Sequence, residues 1–228
     1  MTDLLVSLFI KNHRNVKDNT VRKAYGTLGG MVGIVCNLIL CIFKITVGLI
    51  SGSLSITADG FNNLSDMGSS VVTIIGFKLA GKPADSDHPF GHGRMEYMSA
   101  FIVSVFILIV GVDLFETSSK ALFSETTAPT YGTLAIIILI LSVLVKFWLF
   151  LFNKKLGRKI SSDVLKATAK DCLNDTLTTL AILLSVFISN AVTLPFNLDA
   201  IMGIIVAVFI LWSGLNSAKD TLDEILGK

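Results

Sequence analysis

Asn62 and Asp66 lie in one long apolar segment, and Asp171 and Asp175 lie in another. Each pair is spaced i, i+4. On a helix that separation advances about 400°, so both side chains leave one face about 40° apart and roughly 6 Å along the axis. Each carboxylate at the centre of a membrane helix costs about 2.5–3.5 kcal/mol on insertion scales. Three of them cost on the order of 8–10 kcal/mol, so they must face one another, water or a cation. Three carboxylates and an amide oxygen form a hard donor set that suits Mn2+, Mg2+, Ca2+ or Fe2+ better than Zn2+ or Cu+. Carboxylate ligands bind metal deprotonated, so protons and metal compete for the same oxygens, which is the physical basis of metal/proton exchange. Asn62 does not titrate, leaving three carboxylates to carry coupled protons. The same residues are also compatible with an interhelical hydrogen bond from Asn62 and a polar network or water-filled seam between the aspartates.

These residues need a scaffold, and the composition supplies one. The chain of 228 residues is 52% hydrophobic and 16% charged, against about 25% charged in soluble domains; its mean hydropathy is +0.73. Apolar stretches of spanning length, about 20 residues each, occur at roughly 28–50, 55–79, 95–117, 130–153, 164–190 and 198–218. The expected fold is all-α: a polytopic membrane protein of six transmembrane helices. It divides into an N-terminal segment (1–27), a transmembrane domain (28–218) and a tail (219–228). The opening MTDLLVSLFIKNHRN has no basic leader or small-residue cleavage site and reads as an interfacial segment rather than a secretory signal.

Of the 19 Lys and Arg residues, sixteen fall in the N-terminal segment, the 2–3 and 4–5 connections and the tail, and only Lys120 falls in the alternate connections. This positive-inside pattern places both termini in the cytoplasm. It brings both polar pairs towards mid-bilayer, where transporters hold substrate. No basic patch is left over to imply nucleic acid.

Other polar residues interrupt the spans. Asp59, seven residues before Asp66, is nearly on its face and is either an exit-lining acid or an interfacial one. Lys44 and Asp113 are near enough to span ends to snorkel. Lys146 is deeper and positioned to pair with a carboxylate, though its partner is not legible; Asp199 has no evident role. Cys36, Cys41 and Cys172 read as small core residues. Gly29 with Gly33, and Gly48 with Gly52, give small-xxx-small spacings that suit helix packing within a protomer.

The runs GSLSITADGFNNLSD, DSDHPFGHGRMEYMSA, KDCLND with TLTTLA, and LDAIMGIIVA resemble, in order and across about residue 26 to the end, the cation diffusion facilitator family of divalent metal transporters. The resemblance implies a homodimer that exports divalent metal from the cytoplasm by proton antiport. It also implies alternating access of a tetrahedral-like site between spans two and five. Asn62, Asp66, Asp171 and Asp175 fall on the four ligand positions of that site. Zinc-transporting members typically carry His at the first or third position; Asn and Asp here follow the manganese-transporting branch, with Fe2+, Co2+, Cd2+ and Zn2+ as further candidates. Asp85, His88 and His92 match a secondary cytoplasmic metal site in some relatives, although Pro89, Gly91 and Gly93 also suit a plain turn into span three. Glu96 more plainly balances Arg94 than binds the transported ion. Members usually continue into a ferredoxin-like cytoplasmic domain, and this chain ends at SAKDTLDEILGK, about where it would begin. The chain is either a piece of a longer one or naturally short, and its dimer would rest on the membrane part.

The expected function is a Mn2+/proton antiporter in the plasma (inner) membrane. The alternatives are a passive divalent-cation channel or a metal-sensing membrane scaffold. No enzyme is expected: Gly-x-Gly-Asp, Glu-x-x-His and His-Glu-x-x-His motifs are missing from the sequence.

Overall fold

Inside a bilayer the backbone must satisfy its own N–H and C=O groups, which restricts an open apolar chain to helices. The computed structural model describes residues 2–10, 19–80, 95–123, 129, 131–192 and 196–226, and the elements it contains are helical. They are α1 (Thr2–Phe9), α2 (Asn19–Ser51), α3 (Leu54–Ala80), α4 (Met95–Phe123), α5 (Thr133–Lys159), α6 (Asp163–Ala191) and α7 (Leu198–Leu226). The helices overrun several expected spans: α2 starts at Asn19 rather than 28, and α7 runs to Leu226 rather than 218. The 33 residues of α2 make about 50 Å of helix, against a hydrocarbon core of about 30 Å. Part of the expected N-terminal segment is therefore helix. Within it, Val6 of α1 packs beside Val21 and Tyr25 of α2.

Among the described residues five helices, α2 and α4–α7, are long and apolar enough to cross a membrane, and the chain is an integral membrane protein. With 27 residues, α3 has the length, but Asp59, Asn62, Asn63 and Asp66 make it less apolar. The two helices that carry the expected site, α3 and α6, are the least apolar of the long helices.

The principal pairings are α2 with α3, α4 with α7, and α5 with α6; α3 also lies against α4 and α7, and α2 against α5. One apolar cluster joins Val47, Ile56, Leu139, Ile182 and Val206. A second joins Tyr25, Leu28, Phe152, Leu156 and Leu165. Along α2, α5 and α6 the buried polar residues Lys44, Lys146 and Thr179 fall between the two clusters. Met31, Val35, Leu38 and Ile42 of α2, and Leu134, Ile137, Leu141 and Leu144 of α5, are exposed. Their three- and four-residue spacing gives each helix an apolar stripe suited to lipid.

The start of α3 is fixed from across the bundle. Gly52 takes φ +67, a left-handed conformation that suits glycine at a helix C-terminus, and Ser53 N donates to Gly48 O at 2.9 Å. Ser53 Oγ then accepts from Ile56 N at 3.2 Å as the N-cap of α3. A Cβ on Gly48 would meet the backbone N of Thr57 at 2.8 Å, so α2 and α3 touch backbone to backbone. One on Gly29 would meet Leu165 Cδ2 at 2.7 Å. Both glycines serve packing within the protomer. Asp199, at the start of α7, is buried. It accepts from Ser53 Oγ at 2.6 Å, Ser55 Oγ at 2.5 Å, Leu54 N at 2.7 Å and Tyr131 Oη at 3.0 Å. Its role is to anchor α3 to α7.

A second buried polar group ties α2 to α3 and α6. Lys44 Nζ donates to Asp59 Oδ2 at 2.7 Å and to Thr179 Oγ1 at 3.1 Å, and Thr179 Oγ1 donates to Asp59 Oδ2 at 2.9 Å. Lys44 does not snorkel: it is fully buried, because a carboxylate on the facing helix satisfies it locally. Asp59 is likewise neither interfacial nor exit-lining but the buried half of this ion pair.

Asp199→Ala should leave several donors unsatisfied and destabilise the protein by more than about 2 kcal/mol; an unchanged thermal midpoint in detergent would remove the anchoring role. Lys44→Met should cost about 3–5 kcal/mol by stranding Asp59, and Lys44→Met with Asp59→Leu should recover much of it in a double-mutant cycle.

Candidate metal centre

On α3 the positions 59, 62 and 66 recur at three and four residues and so share a face; on α6 the positions 171, 175 and 179 recur at four. The two helices touch only lightly, and long polar side chains bridge the space between them. Asn62 Nδ2 donates to Asp175 Oδ1 at 2.9 Å. Lys146, from the middle of α5, reaches in and donates to Asp66 Oδ2 at 2.9 Å and Asp175 Oδ2 at 2.7 Å. One ammonium at bonding distance from both carboxylates means that both are aimed at a common point, and that the point suits positive charge.

The surroundings differ between the groups. The Lys146 side chain is fully buried, whereas those of Asp66 and Asp175 are 31% and 14% exposed. Lys44 and Asp59, one layer away, are sealed and matched one to one. Lys146 faces two carboxylates, so that layer carries one formal negative charge in excess. A buried excess charge is costly unless a further cation can reach it, and the residual exposure of Asp66 provides the access.

Of the four expected ligands the structure joins three. Asn62, Asp66 and Asp175 form one hydrogen-bonded group through Lys146. Asp171, one turn before Asp175, is exposed and makes no hydrogen bond or ion pair among the described residues. Among the described residues no group of three or more His, Cys, Asp or Glu stands close enough to hold a metal. The donor set nonetheless fits a hard cation in kind: two converging carboxylates, with an amide whose oxygen would face them if the group turned over. Asp85, His88 and His92 lie outside the described residues.

Lys146, expected from its depth to pair with a carboxylate, meets two. Thr179 lies outside the expected site, yet it continues the i, i+4 run from Asp171 and Asp175, a signal legible in the sequence. Asp199 had no signal, since its partners lie more than 60 residues away along the chain: Tyr131 at a separation of 68 and Ser53 at 146.

The Cation efflux transmembrane domain matches residues 30–226 of this chain. The uncharacterized transporter YdbO of Bacillus subtilis is 32% identical over 195 residues, covering 86% of this chain and 66% of YdbO. The manganese efflux system protein MneS of the same organism is 34% identical over 157 residues, covering 66% of this chain and 51% of MneS. A third relative there, the manganese efflux system protein MneP, is 28% identical over 203 residues, covering 87% of this chain and 68% of MneP. This chain therefore spans about half to two thirds of the length of these relatives. With a domain match that runs from within α2 to the end of α7 and takes in Asn62, Asp66 and Asp175, the chain belongs to the cation efflux family, a family of transporters.

Proposed function

We propose that the protein exports divalent metal, foremost Mn2+, in exchange for protons. The reading further holds that it crosses the plasma membrane six times with both termini in the cytoplasm and works as a homodimer. The observation that carries it is the convergence of Asp66 and Asp175 on one buried cation position, with Asn62 alongside. Oxygen donors without imidazole or thiolate favour Mn2+ over Zn2+, and two relatives bear the name of manganese efflux proteins.

In the proposed cycle Mn2+ enters from the cytoplasm past the exposed Asp171, which lies nearer that end of α6, and is taken by Asp66 and Asp175 with the Asn62 oxygen. Asp171 completes the shell when α6 shifts against α3, a movement that their light contact leaves cheap. Reorientation opens the site outward, where protons compete for the carboxylates and release the metal. Asp85, His88 and His92 remain a candidate secondary site in the 2–3 connection, with no part in the transport step.

The test is metal flux in proteoliposomes under an imposed pH gradient, comparing Mn2+ with Zn2+. Gradient-driven Mn2+ movement supports antiport; flux indifferent to pH favours a passive path, and binding without flux a sensor. Asp66→Ala and Asp175→Ala should each abolish transport, and full flux in either removes the assignment. Asn62→His should shift preference towards Zn2+ by about tenfold, because it supplies a nitrogen ligand; unchanged selectivity would mean that geometry beyond this residue decides. His88→Ala should transport near the wild-type rate.

A further inference from the structure

We propose that Lys146 is a tethered competitor for the transported cation, occupying the carboxylate oxygens that the metal must take and thereby setting the affinity of the site. The inference rests on the metal-site reading above and deepens it. Lys146 Nζ bonds Oδ2 of Asp66 at 2.9 Å and Oδ2 of Asp175 at 2.7 Å. Amine and metal draw on the same inner oxygens, and two cations cannot share them without strong repulsion. Metal entry is therefore an exchange, in which Lys146 gives up both bonds and Asn62 gives up its own to Asp175.

The neighbouring layer shows why this lysine and not the other is exchangeable. Both layers are built alike, with a lysine from α2 or α5, an aspartate from α3 and a partner from α6. Lys44 meets one carboxylate, both side chains are at most 1% exposed, and the charges cancel. Lys146 meets two, leaving a formal negative charge and a carboxylate 31% exposed. Only the second layer both attracts a further cation and admits one.

A fixed competitor weakens binding and favours release. When metal departs, the ammonium returns to the carboxylates, so the aspartates are not left facing each other unpaired in an apolar bundle. Lys146 is thus a positioning and affinity-setting residue rather than a ligand.

The experiment is titration of the purified full chain in detergent with MnCl2 at one fixed pH, by calorimetry on monodisperse protein. Lys146→Gln removes the charge and should tighten Mn2+ binding by about tenfold or more, the scale of one charge-assisted hydrogen bond, while slowing flux because release becomes limiting. Lys146→Met, of similar length, should do the same. Lys146→Arg keeps the charge and can grip both carboxylates with a rigid fork, so it should bind Mn2+ no more tightly than wild type. Asp175→Asn separates the two claims. If it binds Mn2+ as wild type does, the metal-site reading falls. If it loses binding while Lys146→Gln and Lys146→Met bind no tighter than wild type, the competitor falls alone. Should neither neutral variant fold, tightened binding in Lys146→Arg would overturn the competitor by itself.

Discussion

The ammonium of Lys146, set between Asp66 and Asp175, is the interaction on which the interior of this bundle depends. Without it two carboxylates would face each other among apolar helices, the neighbouring Lys44 being paired with Asp59. The pairing joins α3, α5 and α6 at one point, though α3 and α6 otherwise scarcely meet. A buried ion pair of this kind adds little net stability compared with apolar packing of the same volume. Its value is specificity: it fixes which faces of three helices look inward.

The apolar clusters on either side make that polar layer tolerable. Val47, Ile56, Leu139 and Ile182 close it on one side, and Leu28, Phe152 and Leu165 on the other. The layer is thus a thin sheet of charge between two greasy plugs. The anchors lie elsewhere: Asp199 fastens the start of α3 to α7, and the close approach at Gly48 fastens α2 to α3. The α5–α6 pair meets α3 through Lys146, Asp175 and Thr179 as well as through the apolar cluster around Ile56, Leu139 and Ile182.

This division explains the unequal fate of the expected ligands. Asn62, Asp66 and Asp175 lie where the helices converge and find partners, whereas Asp171, one turn away, remains exposed. The light contact between α3 and α6 leaves Asp171 apart from the other three. The sealed Lys44–Asp59 pair differs, since opposite charges that cancel and full burial make it a fixed strut.

The sequence by itself determined the elements and the chemistry available to them. Apolar length dictated helices, the basic residues implied an orientation, and i, i+4 spacing placed Asn62 with Asp66 and Asp171 with Asp175 on single faces, because helical periodicity is a local property. Depth within its span also marked Lys146 as positioned to pair with a carboxylate. Tertiary structure alone decided which carboxylates it meets, that Lys44 is buried against Asp59 rather than snorkelling, and that Asp199 caps a helix 144 to 146 residues earlier in the chain. Those outcomes depend on how helices turn and pack about their axes. That rotation is set by long-range contacts at close approaches such as Gly48 on Thr57, and no local pattern encodes it.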